Sequence, residues 1–217
     1  MPLACVFGKH GATVTVADVN TSLVDTINRG ECPYEEPGLA ELIAELHGAG
    51  RLRAITDTAA GAAEAETIVV IVPAHLTPDR DIDFSVLRAA SADIGRGLKP
   101  GTLVTYETTV SVGGTRRNLI PVLEENSGLR AGPDFHVAYS PERVKANLVL
   151  ARLETTPKVV GGLDDASRRR AAAFYRDYLG APVDDVGTLE AAELTKLLGM
   201  LYRDVNIALV NELAAFS

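Results

Sequence analysis

Thr67-Ile-Val-Val-Ile-Val72 decides the fold, because after its first residue the run is apolar and carries no polar alternation. A continuous apolar run of this length belongs to a strand covered on both faces, the habit of parallel sheets with helices above and below. Before it, residues 51–56 read as a short strand, and Asp57 is placed to cap the Ala-rich helix that follows. Earlier still, Leu39, Leu42, Ile43 and Leu46 fall on one helical face stopped by Gly48, and Thr13-Val-Thr-Val-Ala-Asp18 alternates as a strand. After it, Asp83 caps a helix whose buried side carries Leu87, Ala90 and Ile94. Strands are predicted at 102–106, 135–139, 158–160 and 182–186, with helices at 114–126 and 164–179. From about Glu190 onward one long helix carries Leu194, Leu197, Leu198, Leu201, Val205, Leu209 and Leu213 as a stripe. This alternation predicts an α/β fold, a doubly wound, Rossmann-type and mainly parallel sheet followed by a long C-terminal helix.

Bulk properties narrow the function. The 217 residues, 47% of them hydrophobic, suffice for one large domain or a domain with an appendage. A net charge of −8 argues against non-specific binding to nucleic acid or anionic membrane. No apolar run approaches the roughly 20 residues that span a bilayer. The N-terminus lacks a basic-then-apolar signal pattern, so the expected location is cytoplasmic. Cys5 and Cys32 stand in no metal or redox spacing and read as reduced thiols. His10, His47, His75 and His136 are scattered, and no metal is expected.

Both ends read as truncations. A doubly wound dinucleotide fold opens on a central strand and a Gly-rich turn. This chain opens at Met1-Pro2-Leu3-Ala4, inside an apolar helical segment, and ends at Ala214-Ala-Phe-Ser217 in mid-helix. In the strand order 3-2-1-4-5-6 the absent strand would lie between those at 12–18 and 67–72. Val14, Val16, Val69 and Ile71 are therefore expected to flank a gap of roughly 9–10 Å instead of forming a mutual ladder.

Four places carry candidate chemistry. Asp18 ends a strand, where an acid accepts hydrogen bonds from adenosine ribose and disfavours a 2′-phosphate; it can equally be a turn or helix-cap residue. Gly113-Gly114-Thr115 opens a helix after a strand, which suits an anion, or is an ordinary glycine turn. Glu142, in Ser140-Pro-Glu-Arg143, follows another strand end, as a crevice carboxylate or a solvated loop acid. Lys196, at the edge of the apolar stripe, is either a snorkelling surface residue or an amine tuned by partial burial.

Together these pieces resemble the UDP-glucose/GDP-mannose dehydrogenase family. The resemblance rests on Val24-Asp-Thr-Ile-Asn-Arg-Gly-Glu31, Glu36-Pro-Gly-Leu39, Val72-Pro73, Glu107-Thr-Thr109, Ser140-Pro-Glu-Arg143, Lys158-Val-Val-Gly-Gly162, Ala192-Glu-Leu194 and Lys196. It closes with Arg203-Asp-Val-Asn-Ile-Ala-Leu-Val-Asn-Glu212 and so covers essentially the whole chain in order. Pro-Glu-Arg-Val144 and Arg203-Asp-Val-Asn-Ile-Ala208 look most like the UDP-N-acetyl-mannosamine dehydrogenase branch.

The resemblance implies NAD-dependent oxidation of a UDP-sugar C6 alcohol to a carboxylate in two hydride transfers, a chemistry of polysaccharide biosynthesis. It implies Asp18 at the adenosine ribose, Val72 and Pro73 in the cofactor crevice, and Thr109 near the nicotinamide and catalytic water. It places Glu142 in the acid/base and substrate loop, and gives Lys196 the developing alkoxide. It also implies an NAD domain over 1–187, the start of a helix joining two halves over 188–217, and a homodimer in the full-length form. Departures accompany it. The family's glycine loop and catalytic cysteine have no counterpart, Met200 stands where the family has Asn, Ala74-His75 replaces Thr-Pro, and Leu23 replaces a basic residue. The fragment is accordingly expected to be inactive alone. The rival readings are a β-hydroxyacid dehydrogenase-type NAD domain and a non-catalytic remnant that binds a nucleotide or a partner chain.

Overall fold

The computed structural model of the protein describes residues 1–143 and 149–216; Val144 of the Pro-Glu-Arg-Val run and Ser217 lie outside them. The chain runs α1 (Pro2–Lys9), β1 (Val14–Ala17), α2 (Thr21–Asn28), α3 (Leu39–Gly48), β2 (Leu52–Ile55), α4 (Thr58–Glu64) and β3 (Thr67–Val70). A hairpin of β4 (His75–Leu76) and β5 (Ile82–Asp83) leads to α5 (Ser85–Gly97) and β6 (Leu103–Tyr106). There follow α6 (Ile120–Ser127), β7 (His136–Tyr139), α7 (Val149–Leu153), β8 (Lys158–Gly162), α8 (Asp165–Leu179), β9 (Val183–Thr188) and α9 (Leu189–Ala214).

Side-chain oxygens set several helix starts. Asp57 accepts from Ala60 N–H at 2.9 Å, Asp164 from Ser167 N–H at 2.8 Å and Thr188 from Ala191 N–H at 3.2 Å. The helix expected over 114–126 differs at its start, where residues Thr115–Leu119 are π-helical. Pro121 is the physical reason. It has no N–H to return to Arg117, and the wider turn lets Ile120 N–H donate to the Thr115 carbonyl instead.

The sheet is mainly parallel, as expected, but it comes in two pieces. One holds β1 and β2; the other has the order β3-β6-β7-β8-β9 with β7 and β8 antiparallel. Among the described residues no ladder joins β1 to β3. Val14 and Val69 instead pack beside Leu3, Val6 and Phe7, so α1 covers both strands. The double covering expected of residues 67–72 is therefore incomplete. Thr67, Ile68 and Val69 are only half-buried, the strand ends at Val70, and Ile71 is 55% exposed. As the edge of its sheet, β3 lacks the cover that β6 and β8 receive along their whole length.

Three apolar clusters follow this division. One surrounds Leu87, Val104, Tyr106, Leu119 and Phe135; a second joins α1 to α8 through Phe7, Leu103 and Tyr175; a third fills the β1–β2 part with Cys5, Ile27, Leu39 and Ile43. The stripe read along α9 does not face any of them. Its buried residues are Leu189, Ala192 and Glu193, while Leu198, Leu201, Val205, Leu209 and Leu213 are exposed.

Candidate active site

The C-terminal ends of β3, β6 and β7 and the first turns of α9 meet at one crevice, the place where open parallel sheets bind ligands. Thr108 Oγ donates to the Val72 carbonyl at 2.6 Å, which ties the segment after β6 to the segment after β3. Thr109 follows, half-buried, and Pro73 is exposed. Beyond β7, the Glu142 N–H donates to the Glu107 carbonyl at 3.3 Å, and Lys196 Nζ donates to the Glu142 carbonyl at 2.5 Å. Lys196 is thus half-buried and bonded to the turn after β7. Partial burial is the first cause holding its amine below the ordinary lysine range; Glu142 opposes that shift and Arg203, Arg143 and Lys158 add to it.

Asp18 stands apart from this group, after β1. Its Oδ1 accepts from Asn20 N–H at 2.9 Å, and Asn20 in turn caps α2 by accepting from Leu23 N–H at 3.3 Å. The turn role weighed for Asp18 is therefore real, and one carboxylate oxygen serves it. The anion-binding reading of Gly113-Gly114-Thr115 is corrected. Gly113 N–H and Thr115 N–H donate to the two oxygens of Glu193, at 2.5 and 2.9 Å, so the helix start is filled by the chain's own carboxylate.

Beneath the crevice lies a charged group that pattern reading passed over. Lys158 Nζ donates to Glu107 Oε2 at 2.6 Å, Tyr175 OH donates to Glu107 Oε1 at 2.7 Å, and the ammonium lies 5.0 Å from the centre of the Tyr175 ring. All three side chains are buried. Burial raises the Glu107 carboxyl above the usual carboxylate range, against the pull of Lys158 and Tyr175. Ser140 Oγ donates to the Val159 carbonyl at 2.7 Å, which fixes the turn leading to Glu142 directly over this group. The sequence signal stops at Lys158 itself, a lysine opening a buried strand and so in need of a partner; Glu107, just past the end of β6 with β7 in between, supplies it. Among the described residues no cluster of His, Cys, Asp and Glu could hold a metal ion.

Comparison with known proteins places this geometry. The profile of the UDP-glucose/GDP-mannose dehydrogenase family, NAD binding domain, matches residues 1–179. The chain belongs to this family. The matched segment is the domain with which the family binds NAD. Over 220 residues the chain is 34% identical to the UDP-N-acetyl-D-mannosamine dehydrogenase of Salmonella typhi, covering 99% of this chain and 51% of that protein. It is also 34% identical over 216 residues to the UDP-N-acetyl-D-glucosamine 6-dehydrogenase of Pseudomonas aeruginosa, covering 99% and 49%. The solved UDP-D-ManNAc dehydrogenase of Pyrococcus horikoshii superposes with a TM-score of 0.91 at 29% identity, over 97% of this chain and 50% of that one. The chain spans about half the length of the curated relatives it matches.

Proposed function

We propose that this chain is the nucleotide-binding part of an NAD-dependent dehydrogenase that oxidises the C6 alcohol of a UDP-N-acetyl-hexosamine to a carboxylate. The observation that carries the reading is the juxtaposition of Lys196 with Glu142 beside the Thr108–Val72 tie, at the ligand-binding end of the sheet. A partly buried amine suits charge development on the sugar oxygen, where a fixed cation in a water-poor crevice acts most strongly. Glu142 belongs to the substrate loop, Thr109 lies by the nicotinamide, and Val72 and Pro73 line the cofactor crevice. Asp18 keeps a carboxylate at the strand end where the adenosine ribose is held, and its charge opposes a 2′-phosphate.

Residues 1–187 form the NAD domain in this reading, and 188–217 begin the helix that joins and dimerises the complete cytoplasmic enzyme. Neither cysteine is placed to capture an aldehyde. Cys5 is fully buried, with its thiol pushed up to about 11 by burial, and Cys32 donates to the Tyr34 carbonyl. The chain alone is therefore a binding unit that completes no four-electron oxidation. Calorimetric titration tests the reading. NAD⁺ should bind in preference to NADP⁺, more weakly than the micromolar range of roughly −8 kcal/mol, and Asp18→Asn should narrow the preference. A preference for NADP⁺, or formation of a UDP-sugar acid by this chain with NAD⁺, contradicts it.

A further inference from the structure

A helix start has N–H groups with no partner inside the helix, and water or a ligand anion ordinarily takes them. Here the partner comes from far along the chain. Glu193 Oε2 accepts from Gly113 N–H at 2.5 Å and Oε1 from Thr115 N–H at 2.9 Å, across 80 and 78 residues, and Glu193 is 0% exposed. Glycines shape the turn itself. Gly113 has a φ of +77°, and a Cβ on Gly114 would press on Phe84, Ser111 and Val110 at 3.0–3.2 Å. A second tie lies at the surface, where Arg116 Nε donates to Glu190 Oε1 at 2.6 Å.

These contacts hold α9 where it matters. Leu189, Ala192 and Glu193 are its buried residues, and the helix from Leu201 onward is exposed. Leu189 and Ala192 fix how deeply the helix sits, but apolar contact is non-directional and leaves its roll about the axis loosely set. Two hydrogen bonds to one carboxylate are directional and set the roll. Lys196 follows Glu193 by three residues, on the neighbouring part of the same face. With the roll set, its Nζ meets the Glu142 carbonyl at 2.5 Å.

We infer that Glu193 is a positioning residue: it takes the place of an anion at the Gly113–Thr115 turn and fixes the roll of α9 that presents Lys196 to the crevice. The role given to Lys196 rests on the proposed function, whereas the clamp itself does not. One consequence concerns the cofactor, whose phosphates must be held elsewhere than at this turn.

The test reads the Lys196 amine in the whole chain without any ligand. Trace acetylation across a pH series, quantified peptide by peptide by mass spectrometry, gives a titration midpoint for each lysine, with exposed Lys99 as internal reference. In the wild type the Lys196 midpoint should lie below the ordinary lysine range. Glu193→Ala and Glu193→Gln should abolish that lowering. The glutamine variant keeps the volume but turns an NH₂ group toward a backbone donor, so it tests the paired acceptor even where the alanine variant fails to fold. Glu190→Gln, which removes only the surface tie, should leave the midpoint in place. An unchanged Lys196 midpoint in folded Glu193→Gln, or an equal loss in Glu190→Gln, overturns the inference. Failure to bind NAD⁺ would count against the proposed function while leaving this readout intact.

Discussion

Lys158→Met removes one half of the buried ion pair beneath the crevice and leaves the other half in place. The two side chains are 6% and 1% exposed, so solvent screening offers Glu107 no relief. Breaking such a pair by deleting one partner costs about 3–5 kcal/mol, because the remaining charge is desolvated and uncompensated. For a chain of this size that is a fall in Tm of about 6–20 °C. The loss should depend on pH in a definite direction. The folded Glu107 carboxyl already lies above its unfolded value, so its contribution to stability is fully present below the unfolded value and is lost as pH rises through the folded one. Lys158 opposes that rise, and deleting it pushes the folded value further up. The deficit of Lys158→Met relative to wild type should therefore be greatest at neutral pH and shrink on acidification, as Glu107 becomes a neutral acid that still accepts from Tyr175. Urea unfolding at neutral pH and below the ordinary carboxylate range measures this, with equal m-values as the check on two-state behaviour. Lys158→Met/Glu107→Leu should be more stable than Lys158→Met alone, since no buried charge is left over. A single variant within about 1 kcal/mol of wild type, or a double variant less stable than the single, refutes the reasoning.

Two glycines give opposite expectations. A Cβ at Gly161 would stand 2.0 Å from the Thr188 carbonyl oxygen at the start of α9, so Gly161→Ala should destabilise by about 1–3 kcal/mol or more in thermal melts. Gly199, in the interior of α9 with open space around it, should gain about 0.8–1 kcal/mol as alanine. Hydrogen exchange tests the divided sheet. The Val14 and Asp18 N–H groups donate to β2, so those of Thr15 and Ala17 point to the other side and should exchange much faster than those of Val104 and Val137. Equal protection of all four would mean that β1 is paired on both edges in solution.

The alternation of strand and helix was legible because each element announces its own period and caps, as the Asp57 side chain and the Leu87–Ile94 face illustrate. That β1 and β3 share no ladder followed from the strand order of doubly wound sheets. The β4–β5 hairpin escaped notice because its strands have two residues each, too short for any period. The α9 stripe was legible as a stripe and no further. Helical spacing identifies an apolar face but not what it faces, and here the buried side is Leu189, Ala192 and an acid. Among the proposed site residues, Asp18, Glu142 and Lys196 could be picked out by position after strand ends or on a helix edge, whereas Thr109 was implied by the family resemblance alone. Glu193 and Lys158 could not be given roles, since each acts through a partner dozens of residues away.

The division of the sheet also orders the assembly of the molecule. The core of the β1–β2 part draws on residues between Cys5 and Ala54, and the largest cluster on residues between Ala62 and Ala192, so each can condense from nearby sequence. Two helices depart from this pattern: α7 lends Leu150 to the β1–β2 core while its Val149 N–H donates to Glu36 Oε1 at 2.6 Å, and α1 reaches the other way. Phe7 meets Phe174 edge-on with ring centroids 5.0 Å apart, and Lys9 pairs with Glu154 at 2.8 Å, 145 residues later. Those contacts close long loops, so this face of α1 is seated only once α8 has packed against β6, while Cys5 on its other face rests in the β1–β2 core. The face of α1 that carries Leu3, Val6 and Phe7 is thus among the last to be covered, and until then it is exposed apolar surface.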